Sequence, residues 1–183
     1  MRRRLLAVCL LCIWPAALPA QRTVREITTA ADPQNDARPN SDAVPDVYAI
    51  PARIEKTLVL RFKYKTDLLA GLQKMVERHG IRNAVILAGT GSVRNYHVHA
   101  VSNAEFPSRN VFVKDPAHPA DILSVNGYII DGRVHAHITL ADGDKAFGGH
   151  LEPGTSVFTF AIVTLGVFGD EVRLDRVDDK TYR

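Results

Sequence analysis

Thiols are almost absent from this chain, and the place where they occur decides how they are read. The 183 residues include two cysteines, Cys9 and Cys12. Both lie in a basic and then apolar start: Arg2-Arg3-Arg4, a run from Leu5 to Ile13, and small residues up to Ala20. That layout is a secretory signal peptide with cleavage after Ala20. The Cys-x-x-Cys inside it is therefore neither a redox nor a zinc motif, and a mature chain starting at Gln21 has no thiol to form a disulfide. Long hydrophobic runs are also missing. The apolar stretch of the leader covers about half a hydrocarbon core, so no membrane span is expected in the mature chain. The expected location is periplasmic or secreted.

Excess positive charge is lacking as well. Lys and Arg total 23 against 20 Asp and Glu, and removal of Arg2, Arg3 and Arg4 leaves 20 against 20. A formally neutral mature chain with scattered cations has no basic, aromatic-laced groove, so nucleic acid is not an expected partner. Gly89-Thr90-Gly91-Ser92 lacks the Lys-Ser/Thr of a phosphate-binding loop and the third glycine of a dinucleotide fingerprint. With no Gly-x-Ser-x-Gly elbow and no mature cysteine, serine and cysteine hydrolases have no support.

What is present reads as one α+β domain. Residues 21–47 are rich in Ala, Asp, Asn, Pro, Arg and Thr and poor in large apolar side chains, which predicts a flexible N-terminal arm ahead of a domain over 48–183. Ile54 to Lys65 alternates apolar with charged residues, as a half-buried strand does. Thr66 stands where a helix cap would. Leu68, Leu69, Leu72, Met75 and Val76 then follow helical spacing, and Gly80 marks the helix end. Strands are expected over Ala84–Ala88, Val93–Val101, Val111–Val113 and Ile122–Ile130. The two-residue turn Asp131-Gly132 leads into another over Arg133–Ala141. A glycine-rich loop over Gly143–Gly149 precedes His150. Val157–Val167 reads as a central strand and Glu171–Val177 as a last one.

Within Arg133–Ala141, Val134, Ala136, Ile138 and Leu140 face the core, which leaves Arg133, His135, His137 and Thr139 on the other side. Two imidazoles thus project together, and His150 returns behind Gly148-Gly149. Three imidazoles with an open fourth position can hold a catalytic zinc ion; a pair of exposed strand histidines and an unrelated loop histidine is the plainer alternative. His97 and His99 form a second His-x-His that can line the same cavity, make another site or meet another subunit. Glu152 is a candidate proton acceptor or a solvated charge. Arg94 and Lys145 are candidate holders of an anionic substrate group.

Gly89-Thr90-Gly91-Ser92-Val93-Arg94, Gly127 to His137 (GYIIDGRVHAH), and Gly148-Gly149-His150-Leu151 followed by Gly154-Thr155 carry a resemblance to the plant and prokaryote conserved (PPC or PCC) domain family. The resemblance spans Tyr48 to Val177. It implies an α+β fold with a highly curved, mainly antiparallel sheet and one main helix, assembled as a homotrimer. That fold is similar to the one of acetolactate decarboxylase, in which a His-x-His pair and a later histidine hold zinc, and His135, His137 and His150 match that pattern in order and approximate spacing. The family's DNA-binding label belongs to plant members with an AT-hook, and no Arg-Gly-Arg-Pro hook occurs here. Two readings follow: a metal-dependent lyase or hydrolase on a small polar or carboxylated substrate, or a non-catalytic metal or small-ligand binding module.

Overall fold

The computed structural model describes residues 23–38, 41–175 and 177; the expected signal peptide lies outside them. One curved, antiparallel sheet dominates. Its strands are β1 (Val24–Thr29), β2 (Ile54–Lys63), β3 (Ala84–Val101), β4 (Arg109–Asp115), β5 (Ala120–Ile130), β6 (Arg133–Ala141), β7 (Ala146–Leu151) and β8 (Ser156–Phe168). The helices are α1 (Pro33–Asp36) and α2 (Leu68–Arg78). Among the described residues, no helix is long and apolar enough to cross a membrane.

The 18-residue β3 organises the sheet. Its first half pairs with β5 on one edge and β8 on the other, while its second half pairs with β4 and β7. Since β5 also pairs with β6 and β6 with β7, the sheet curls until β7 meets the far half of β3. β2 lies outside β8. One face carries α2, which buries Leu68, Leu72 and Val76 almost completely. These meet Ile129, Ile138, Leu140, Leu151 and Val163 in one core. Covering one sheet face with an amphipathic helix removes both apolar surfaces from water, which is what stabilises an α+β layer.

Several expectations are corrected. Residues 24–29 are not a loose arm: β1 pairs with β4 over its whole length, from Val24↔Lys114 to Thr29↔Arg109. Its side chains are mostly exposed, so main-chain hydrogen bonding rather than apolar burial holds it, and composition does not reveal that. The helix cap is Asp67, not Thr66. Its carboxylate accepts from the Ala70 N–H at 2.9 Å and from the Gly154 N–H at 2.6 Å, tying the helix start to the turn after β7.

Gly89 to Ser92 make no turn; they lie within β3, whose register against β8 shifts between Gly91 and Val93. A Cβ on Gly91 would meet the Phe160 carbonyl oxygen at 2.2 Å, so glycine here serves close strand packing. Gly148 and Gly149, expected in a loop, lie within β7. Among the described residues, 171–175 and 177 form no strand. Val172 and Leu174 are nevertheless buried, and the Asn83 side chain donates to the Val172 carbonyl at 2.8 Å, so this segment closes the core without joining the sheet. The Asp131-Gly132 hairpin stands as expected, both residues having positive φ.

Candidate metal centre

Strand register assembles the site. β7 lies between β6 and the second half of β3, and His150 is directly opposite His137 on one side and His99 on the other. His135, two residues before His137, shares its face. Directly opposed residues have Cβ atoms about 5 Å apart, so imidazoles in one row across three strands must meet. The ring centre of His150 is 4.6 Å from His99, 4.7 Å from His135 and 5.2 Å from His137, and His135 and His137 are 5.4 Å apart.

One ligand atom from each of His135, His137 and His150 lies within 4.8 Å of the others, and the same holds for His99, His150 and Glu152. His150 belongs to both groups. Borderline-soft divalent ions favour such nitrogen donors, so the residues fit a metal in chemistry and in reach. His135 and His137 face solvent and His150 is half-buried, which leaves an open side for a ligand. The His99 Nδ1 is 2.6 Å from a Glu152 carboxylate oxygen. When that nitrogen carries the hydrogen it donates to the carboxylate, leaving Nε2 as the basic nitrogen. Phe112 packs on His99 at 4.8 Å, so the ring is held between Phe112 and His150.

The backbone behind the cluster is tightly specified. A Cβ on Gly148 would meet the Ile138 carbonyl oxygen at 2.0 Å, and one on Gly149 the His99 carbonyl oxygen at 2.3 Å. Thr155 is fully buried; its hydroxyl accepts from the His97 N–H at 2.9 Å and donates to the His97 carbonyl at 3.0 Å. These contacts pin the segment after His150 to β3 and set where Glu152 stands.

Crowding makes two of these imidazoles, His137 and His150, resist protonation. Burial, helped by His99, His135 and His137, pushes His150 down to about 4. Burial and the neighbouring His135 and His99 lower His137 as well. Both therefore tend to stay neutral, the form that binds metal. The linkage has a definite sign. An unfolded histidine titrates near 6.5, so the folded form's stability is complete above that pH and falls as pH drops towards about 4. Urea unfolding of chelator-treated protein at pH 7.5 and pH 4.5 should show the acid loss, and His150→Gln should reduce it. An equal pH slope in the two proteins would mean that His150 titrates normally.

The other sequence candidates lie apart from the cluster. Arg94 sits over the Tyr64 ring at 5.8 Å and Lys145 over the Phe147 ring at 5.9 Å. The His97 Nδ1 lies 2.9 Å from the Pro153 carbonyl oxygen. None of these residues lines the cleft of about 1280 Å³ into which His99, His135, His137 and His150 open. Arg133 does line it, with Tyr128, Ile130 and Val101. Strand parity had already put Arg133 beside His135 and His137. The membership of His99 was not readable in that way, since it depends on β7 pairing with β3.

A model of the Plants and Prokaryotes Conserved (PCC) domain matches residues 50–169. The chain belongs to this family. Solved structures agree in fold. A metal-containing protein of Archaeoglobus fulgidus superposes with a TM-score of 0.58 at 22% identity, covering 74% of this chain and 96% of that one. A plant- and prokaryote-conserved protein of Pyrococcus horikoshii gives a TM-score of 0.56 at 21% identity, covering 69% and 89%. Among curated proteins, the bifunctional protein GlmU of Synechococcus sp. (strain JA-3-3Ab) is 24% identical over 129 residues. That match takes in 70% of this chain but spans only 20% of the relative's length. In this PCC domain the motif Gly-Gly-His-Leu is the end of strand β7, and its histidine is the residue common to both ligand groups.

Proposed function

We propose that this PCC-domain protein holds one divalent metal ion, zinc by the chemistry of its donors, on His135, His137 and His150. The observation that carries the reading is the meeting of these three imidazoles, within 4.8 Å of one another, at the floor of an open cleft. The Archaeoglobus fulgidus protein of the same fold is itself metal-containing, which supports the reading. A metal ion bound there supplies Lewis acidity for polarising a carbonyl or activating water. The chain's own contribution is to keep His137 and His150 neutral and to orient His99 through Glu152. Glu152 is also the carboxylate placed to take a proton near the cleft. The activity that best fits is a lyase or hydrolase step on a small polar or carboxylated molecule.

The protein acts outside the cytoplasm, after removal of the leader ending at Ala20, and it works as a homotrimer. Exposed Ile54, Val59, Leu87 and Phe160 on β2, β3 and β8 support assembly, since they offer apolar area that a second copy would cover. Light scattering of the mature chain at three times the protomer mass is the expected result, and a monomer at micromolar concentration would remove the trimer.

Elemental analysis tests the centre. Residues 21–183, purified without a tag or chelator, should carry about one metal ion per chain, the usual stoichiometry of such a site. No metal after reconstitution with zinc or iron would overturn the reading. Metal without turnover of any carboxylate or carbonyl compound would make the domain a binding module.

A further inference from the structure

Arg133 opens β6 directly after the Asp131-Gly132 turn, on the strand face that also carries His135 and His137. It is the sole Lys or Arg among the described residues lining the cleft. Among the described residues no ion pair or side-chain hydrogen bond engages its guanidinium. The nearest acid in sequence, Asp131, is taken by Arg82 at 3.0 Å. Asp46 is the one carboxylate lining the cleft, and it comes from the segment before β2. Across β5, Ile130 stands opposite Arg133 and Tyr128 opposite His135, and both line the same cleft. The wall from the arginine to the histidines is therefore apolar and aromatic.

We infer that Arg133 is the specificity-determining anchor of the cleft, and that the ligand it selects is an organic carboxylate with a short apolar body. Guanidinium presents a planar fork of donors that matches a carboxylate, and it stays charged at every working pH. Arg133 and His135 are two strand residues apart, about 7 Å between their Cα atoms. A molecule of a few carbons, gripped by its carboxylate at Arg133, thus lies along Ile130 and Tyr128 with its far end at the histidine cluster. Apolar walls favour such a body over a bare inorganic anion, whose remaining oxygens would face Ile130 and the Tyr128 ring without partners. This assignment rests on the metal-centre reading for the far end of the ligand only; anion selection by Arg133 does not require the metal.

The test uses isovalerate, its uncharged isostere isovaleramide, and inorganic phosphate as probes, with binding followed by NMR titration of the full mature chain. Metal-loaded and chelator-treated samples are compared, and metal content is measured on each. Wild-type protein should bind isovalerate at least about tenfold more tightly than isovaleramide, a difference of about 1.4 kcal/mol. Phosphate should bind more weakly than isovalerate. Arg133→Gln should abolish the carboxylate preference in both samples while leaving metal content unchanged. Equal preference in Arg133→Gln and wild type would overturn the inference, and so would phosphate binding as tight as isovalerate. Loss of the preference on chelation alone would place the carboxylate on the metal and also overturn it. Absence of metal from wild-type protein would instead sink the metal centre, leaving the arginine result to be read on its own.

Discussion

His150→Ala is expected to empty the metal centre while the domain stays folded. Of all the candidate ligands, His150 is the one common to the two groups, so its loss leaves neither with three donors. After dialysis, metal content should fall from about one ion per chain to below about a tenth, because two imidazoles without a third seldom retain zinc against water. His99→Ala should behave differently. It removes a member of the second group and the partner of Glu152, yet leaves His135, His137 and His150 in place. Metal should persist there with about 10- to 100-fold weaker affinity, as when an orienting neighbour is lost. The fold should tolerate His150→Ala because the side chain reaches the open cleft and the core side of β7 is carried by Leu151. Unchanged circular dichroism with lost metal is the expected pair of results. If His150→Ala kept a full complement of metal, the ion would lie elsewhere.

How far the sequence revealed this arrangement depended on whether local pattern or distant pairing decides a feature. Helix α2 was legible because Leu68, Leu72 and Val76 repeat at helical spacing and all three are buried. Strand β6 was legible to its ends, and alternation alone put Arg133, His135 and His137 on one face. Two other features were hidden. β1 carries no buried side chain, so nothing in its composition distinguishes it from a loose arm; only the main chain of β4 makes it a strand. The glycines at 89, 91, 148 and 149 look like loops because glycine usually marks turns. Here they mark places where one strand's backbone presses on another. The same feature left the place of His99 open between the cavity, a separate site and a subunit contact. Taking Gly143–Gly149 as a loop left β7 unrecognised, and without β7 nothing brings β3 against His150. Arg94 and Lys145, the expected anion holders, each lie over an aromatic ring, Tyr64 and Phe147, and outside the cleft lining.

Gly149 therefore offers a sharper probe of the architecture than any ligand. A Cβ at this position would stand 2.3 Å from the His99 carbonyl oxygen, and the residue's φ of +156° is one that L side chains seldom adopt. The obstacle is backbone, so no rotamer change relieves it: β7 must move away from β3. Gly149→Ala is accordingly expected to cost about 3 kcal/mol from overpacking and backbone strain together. For a domain of this size that is a fall in melting temperature of about 10 °C. Moving β7 also draws His150 away from His99 and shifts it against His137, so metal affinity should drop although every donor is still present. The two substitutions then separate cause from consequence. His150→Ala loses the ion and keeps the fold, whereas Gly149→Ala weakens the fold and loosens the ion with it. A Gly149→Ala protein with wild-type melting temperature and metal affinity would mean that β7 is not seated against β3, and that His99 and Glu152 stand apart from the centre.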